Sequence, residues 1–285
     1  MKNSRLISFL IILIVYIIAT IVGVFTYISL NTSLWLKVLL ADITATIVVF
    51  AFSLICKNAS VYDPYWSVAP IVILVLLSFE VGLNVAAFLS LTAVVLWGVR
   101  LTINWAYTFK NLNHEDWRYQ MLRKKCGKFY LIVNFIGIHM VPTLVVYFAI
   151  LPVIIVFEKQ PQFNIFTIVF FILCVLSMIL QCVADVQMHK FRKNRNSVFI
   201  RNGVWKYSRH PNYLAEILMW WNVGLLALLT LMEMQYLLVG AILNTMLFLF
   251  VSIPLAENHQ RERKEGFDEY KKDTRMLLPI KKPLF

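Results

Sequence analysis

Charged residues are scarce in this chain. Asp, Glu, Lys and Arg make up 15% of its 285 residues, against 60% for the apolar types, and no stretch between the apolar runs resembles a water-soluble domain or a long linker. That excludes an ordinary soluble globular protein. Cysteine is as thin. Cys56, Cys126, Cys174 and Cys182 form no Cys-x-x-Cys pair, and the closest two fall within one apolar run. Neither a zinc site nor a disulfide framework is expected, and packing is their default role. Internal repeats are missing. So are a helix-turn-helix, a zinc finger and an aromatic base-stacking platform, which removes nucleic acid as the partner for a net charge of +12. The most telling absence is local: residues 190–213 contain no Asp or Glu, yet hold Lys190, Arg192, Lys193, Arg195, Arg201, Lys206 and Arg209.

What is present is a set of apolar runs long enough to cross a hydrocarbon core of ~30 Å, which takes about 20 helical residues. They predict spans at 6–30, 35–56, 66–79, 83–109, 129–157, 163–188, 213–231 and 236–253, the third of them short. The expected fold class is all-α, a polytopic transmembrane bundle of seven or eight membrane helices. The first span has no small-residue cleavage site and reads as a retained helix. Of 27 Lys and Arg, 21 lie in three segments: 110–128, 190–209 and the tail after Glu257. With Lys2 and Arg5 added, eight crossings put both termini and all three segments on one face, which the positive-inside rule makes the cytoplasm. The opposite loops, 31–34, 80–82, 158–162 and 232–235, carry one lysine between them. Topology and anionic membrane lipids account for much of the basic charge, and a polar ligand is expected from the cytoplasmic side.

The acid-free segment leads into Ser208-Arg209-His210-Pro211-Asn212-Tyr213-Leu214-Ala215-Glu216. Proline is tolerated in the first turn of a helix and stops it extending backwards, so Pro211 predicts a helix start with Asn212 and Glu216 on one face. Arg209 and His210 bring cationic or protonatable groups to that N-terminus, where free N–H groups and the dipole favour an anion. The plain alternative is a membrane-interface loop with snorkelling side chains and an ordinary cap.

Polar residues inside apolar runs are costly, about 2.5–3.5 kcal/mol for a charge at the centre of a span, so each needs a partner or a function. Asp42 lies in the second run, and Arg100 and Asn104 share a face of the fourth; an Asp42–Arg100 ion pair and a functional role are both open. Asp63 stands just ahead of the third run, in Val61-Tyr62-Asp63-Pro64-Tyr65-Trp66. Gln181, Asp185, His189 and Arg192 follow one helical stripe that ends in the acid-free segment. His139, mid-run near Pro142, reads as a hydrogen-bonding group within the bundle. Only His210 among the histidines comes with a motif.

Ala184-Asp185-Val186-Gln187 with Phe191-Arg192, the stretch 202–216 and Trp220-Trp221 together resemble the C-terminal part of the steroid 5-alpha-reductase superfamily, in its bacterial DUF1295 branch. Ser252-Ile253-Pro254-Leu255-Ala256-Glu257, Gly266-Phe267-Asp268-Glu269-Tyr270, Thr274 and Pro279 are similar to that branch's ending. Asp63-Pro64-Tyr65-Trp66 and Leu96-Trp97-Gly98-Val99-Arg100 are similar to its earlier motifs. The resemblance divides the chain into 1–60, two helices outside it, and 61–285, a membrane catalytic domain with cytoplasmic cofactor-binding loops. It implies an NADPH-dependent reductase of a bacterial inner membrane. Such an enzyme transfers a hydride to an activated, enone-like double bond of a hydrophobic, steroid- or isoprenoid-like substrate from the bilayer. The implied cofactor contacts are Gln181, where the family has Asn, with Asp185, Arg192, Tyr207, Arg209, His210, Asn212, Glu216 and His259; no metal is expected. Arg192 and Arg209 suit phosphate, because guanidinium forks bind its oxygens bidentately. In the steroid reductases a Glu and a Tyr polarise the enone carbonyl. Asp63 is similar to the Glu position, whereas Trp97 stands at the Tyr position and has no phenol to donate, so Tyr65 or Tyr107 is expected to serve. Nothing indicates an oligomeric state.

A second class is similar in outline. Integral-membrane methyltransferases of the isoprenylcysteine or phospholipid type share an Arg-His-Pro-x-Tyr turn followed by an acidic C-terminal motif. They bind S-adenosylmethionine, which is cationic at sulfur and carries no phosphate, and so suits seven basic residues less well. Where they usually carry a Glu-Glu pair, this chain has Glu257-Asn258-His259. A non-enzymatic lipid-binding or assembly factor is the third reading.

Overall fold

The computed structural model describes residues 4–194, 197–232 and 235–278; Lys2, Arg195, Pro279 and two residues of the expected 232–235 loop lie outside them. Among the described residues the chain is helical, with no strand and one isolated bridge between Ser208 and Arg275. Eight helical segments are long and apolar enough to cross a membrane, which makes this an all-α integral membrane protein. The chain divides into two compact units, Met1–Gln162 and Phe163–Phe285. The boundary expected at residue 60 is therefore not a packing boundary: the first two helices belong to a larger unit.

The first unit begins with α1 (Arg5–Ser29) and α2 (Leu34–Cys56), continues through a 3-10 turn (Ala59–Tyr62) into α3 (Tyr65–Val81), and then α4 (Val85–Thr108) and α5 (Trp117–Cys126). A short α6 (Tyr130–Val133) runs through a π segment (Asn134–Met140) into α7 (Val141–Lys159). The third crossing is not short. With the 3-10 turn it covers Ala59–Val81, because Asn58 organises the turn: its Oδ1 accepts from Ser60 N at 2.8 Å and its amide donates to Leu112 O at 2.6 Å. The fifth crossing, Trp117–Lys159, likewise begins well before its apolar run.

α7 packs against α2, α3 and α4 and buries residues all around its circumference, as a helix apolar on every side does. α3 and α4 approach closely at Gly98, where a Cβ would lie 2.6 Å from Ser67 O and 2.8 Å from Ile71 Cδ1. Small residues let membrane helices touch backbone to side chain where no hydrophobic drive separates them from lipid. Polar side chains then join the helices: Tyr62 meets Thr143 at 2.8 Å, Thr143 meets Thr46 at 3.1 Å, and Asp42 accepts from the Tyr65 hydroxyl at 3.3 Å. Asp42 thus takes a phenol as its partner and not Arg100.

The second unit holds α8 (Ile165–Lys193), α9 (Pro211–Leu231), α10 (Val239–Leu247), a π segment (Phe248–Ser252), α11 (Ile253–Arg263) and α12 (Phe267–Asp273). Its frame is the α8–α9 pair. Asn164 and Thr167 form a capping box at the start of α8, and both reach the end of α9, Asn164 Nδ2 to Leu229 O at 2.9 Å and Thr167 to Thr230 at 2.7 Å. The α8 residues facing α9 are small or polar, with Ser177, Gln181 and Ala184 buried. Ile168, Ile172, Leu176, Ile179 and Val183 face outward, where a bilayer replaces water.

Candidate functional site

In the second unit, the half of α8 that carries the polar stripe lies beside the start of α9. Pro211 is the first residue of α9, as its fixed φ and missing N–H favour. Glu216, one turn in, is buried: Gln181 Nε2 donates to its Oε2 at 2.9 Å and Trp220 Nε1 to its Oε1 at 3.0 Å. The stripe on α8 and the motif helix are therefore in contact, with Glu216 facing α8. Gln181 is fully buried, and its Oε1 has no hydrogen-bond donor among the described residues. A buried amide oxygen left unpaired costs about 1–3 kcal/mol, and a ligand N–H would relieve that cost. Asp185 and His189 follow outward at half-burial, then Arg192, exposed at the end of the helix. Asn212 is half-buried and has no partner among the described residues.

The basic segment folds back on α8. Trp205 is buried and donates from Nε1 to Ala184 O at 3.0 Å, and Gln187 Oε1 accepts from Val204 N at 3.0 Å. Gly203 sits at φ +57, and a Cβ there would run into the Gln187 amide. This turn needs glycine on both counts.

Arg209 is not where an anion would meet it. Its side chain is 5% exposed, with Nε 2.9 Å and Nη2 2.8 Å from Glu257 Oε1, and with Nη1 donating to Lys271 O at 3.3 Å and to Thr274 O. Its own N–H bonds to Arg275 O at 2.8 Å, and Ser208 Oγ bonds to Met276 O at 3.1 Å. His210 Nε2 lies 3.2 Å from the same Glu257 oxygen and its ring stacks on Tyr213, while Lys271 Nζ reaches Oε2 at 3.3 Å. The expected phosphate role of Arg209 is corrected by this burial: a guanidinium sunk among one carboxylate and two carbonyls is a clamp on the tail. His210 is part of the same clamp. Arg201 pairs with Asp273 at 3.0 Å, which leaves Lys190, Arg192 and Lys193 as exposed cations without a partner among the described residues. Tyr207 is exposed, with Lys206 over its ring at 5.8 Å. His259 is half-buried on α11, two residues past Glu257. On α12, burial pushes the Tyr270 phenol up, opposed by the charges of Arg209 and Arg201.

The expected catalytic residues all lie in the first unit. Asp63 caps no turn of α3; its Oδ1 accepts from the Tyr119 hydroxyl at 2.5 Å, with Arg118 Nη2 at 3.9 Å. Tyr65 is buried with its hydroxyl on Asp42, and Tyr107 is 69% exposed on α4. Sequence reasoning missed Glu257, Arg118 and Tyr119 as partners. The signal for Glu257 was its place as an acid beside the basic tail; Arg118 and Tyr119 left no signal, because they lie 55 and 56 positions from Asp63.

The sequence profile of the DUF1295 family, described as a protein of unknown function, matches residues 49–274. An uncharacterised protein of the fission yeast Schizosaccharomyces pombe is 27% identical over 223 residues, which are 67% of this chain and 63% of that protein. The chain thus spans less than two thirds of the length of this relative. No solved structure matches.

Proposed function

The chain belongs to the DUF1295 family, and from that premise we propose that it is an NADPH-dependent membrane reductase related to the steroid 5-alpha-reductases. On this reading it sits in a bacterial inner membrane with both termini cytoplasmic and acts on an activated double bond of a hydrophobic substrate from the bilayer. The observation that carries the reading is the polar face of α8: an unpaired, fully buried amide oxygen at Gln181 at one end, and exposed Arg192 at the other. Eleven residues at 1.5 Å each make this face about 16 Å long. An elongated ligand with N–H donors at its inner end and phosphates at its outer end matches it. A nicotinamide carboxamide supplies such donors, and Lys190, Arg192 and Lys193 supply the cations.

The bound nicotinamide would provide the hydride. Gln181 and Asn212 would hold its carboxamide and ribose, while Glu216 fixes Gln181 through their 2.9 Å hydrogen bond. Arg192 would hold the 2'-phosphate by which NADPH differs from NADH. On the substrate side the reading keeps Asp63 as the group that hydrogen-bonds a carbonyl oxygen, oriented by Tyr119. Tyr65 is engaged by Asp42, and Tyr107 is turned outward.

One observation favours the second reading, S-adenosylmethionine-dependent methyl transfer: the Arg-His-Pro turn is joined directly to an acidic tail residue, Glu257. The melting temperature of the purified protein in nanodiscs, measured with each compound in turn, separates the two. NADPH is expected to raise it more than NADH, since only a ligand that binds the folded state stabilises. A rise with S-adenosylmethionine and none with NADPH overturns the reductase reading.

A further inference from the structure

A cleft of about 280 Å³ opens among α1, α2 and α3, within the first unit. It runs the length of α3, from Tyr65 through Val68 and Val72 to Glu80, with Gly23 and Ala41 making its other walls. Sixteen residues of α3 at 1.5 Å each give it a length of roughly 24 Å. Its walls are apolar except at a few points, and one of the most buried of these is Asp42. That residue is 6% exposed, and only its Oδ1 has a partner, the Tyr65 hydroxyl. Its second oxygen has no hydrogen bond among the described residues, and Asp42 is one of the residues that line the cleft. Asp42 and the α1 wall precede residue 49, where the family match begins. The cleft is thus built in large part by helices that the family profile does not cover.

A carboxyl group placed this way in a membrane protein needs a partner. Among the described residues no Lys or Arg lines the cleft, and Asp42 has no ion-pair partner. We infer that the cleft binds a long apolar alcohol, whose hydroxyl occupies the free oxygen of Asp42 and whose hydrocarbon body lies along α3. The choice of a hydroxyl follows from the donor inventory. It donates to a carboxylate and accepts from a carboxylic acid, so it satisfies Asp42 in either state, whereas an amine fits only the ionised form. A fatty acid would bring a second carboxylate against the first. An uncharged head also suits walls with no other charge near Asp42, since Glu80 stands at the far end and already accepts from Tyr27 at 2.8 Å. The inference does not rest on the reductase reading, because neither NADPH nor turnover enters into it.

The test uses the full chain in phosphatidylcholine nanodiscs without NADPH, labelled by a photoactivatable long-chain primary alcohol. Label is expected on peptides of α1, α2 and α3, displaced by the unlabelled alcohol at a concentration at least tenfold below that needed with the matching fatty acid. Asp42→Leu should weaken labelling about ten- to a hundredfold, the range for losing one hydrogen bond to a charged or buried polar group. Asp42→Asn should restore it, since an amide also donates and accepts. Val72→Phe, which leaves Asp42 and Tyr65 in place and fills the cleft, should abolish labelling and keeps the inference testable if Asp42→Leu fails to fold. Labelling that survives Val72→Phe, or that the fatty acid or the matching amine displaces as well as the alcohol does, overturns the inference.

Discussion

Replacing Glu257 by Leu keeps roughly the volume of the side chain but removes the carboxylate that Arg209, His210 and Lys271 share. Arg209 is 5% exposed and Glu257 10%, so the guanidinium would be stranded in a site built to neutralise it. Removing one partner of a buried pair costs about 3–5 kcal/mol, mostly from the charge left behind. The two carbonyls, of Lys271 and Thr274, still accept from Arg209, which argues for the lower figure. About 3 kcal/mol is roughly a 150-fold shift in the equilibrium that opens the tail from the motif loop. Limited trypsin digestion reads that opening, because cleavage after Lys271 or Lys272 requires α12 to leave its place. The variant should be cut there on the order of a hundredfold faster at low protease. Arg209→Met together with Glu257→Leu should recover most of the protection, since an apolar pair leaves no buried charge. Cleavage within threefold of wild type in Glu257→Leu would refute the clamp, and so would a double variant cut as fast as the single one.

Gly203→Ala should lower stability by about 1–2 kcal/mol in a detergent-denaturant titration, since φ +57 is strained for any L side chain and the added Cβ meets the Gln187 amide. Arg192→Ala is expected to leave NADH binding unchanged in calorimetric titration while NADPH affinity falls about tenfold, to the level of NADH. Glu216→Gln, with the 2.9 Å bond to Gln181 changed in polarity, should weaken NADPH several-fold in the same titration and leave the thermal transition within a few degrees. Asp63→Asn should abolish reduction of an α,β-unsaturated lipid while cofactor affinity holds, and Tyr119→Phe should lower the same rate without abolishing it, because only the orienting 2.5 Å bond is lost.

Much of this molecule is written in its order of residues. Eight crossings follow from apolar runs of about 20 residues, because backbone groups in hydrocarbon must be satisfied within their own helix, and that demand is local. The start of α9 follows from Pro211, and the stripe of Gln181, Asp185, His189 and Arg192 from helical period alone. Partnerships are another matter. Asp42 meets Tyr65 across 23 positions, Arg209 meets Glu257 across 48, and Asp63 meets Tyr119 across 56. The ion pair of Asp42 with Arg100 that the sequence left open is not the one formed, and the anion site expected at Arg209 gave way to the Glu257 pair, since residue type shows that a buried charge needs a partner but not which faces of which helices are brought together. The 3-10 turn before α3 has the same origin: Asn58 reaches a carbonyl 54 positions on. Period and hydrophobicity act within a helix, whereas the choice of partner for a buried polar group is settled by packing between helices, where a shift of one turn exchanges one neighbour for another.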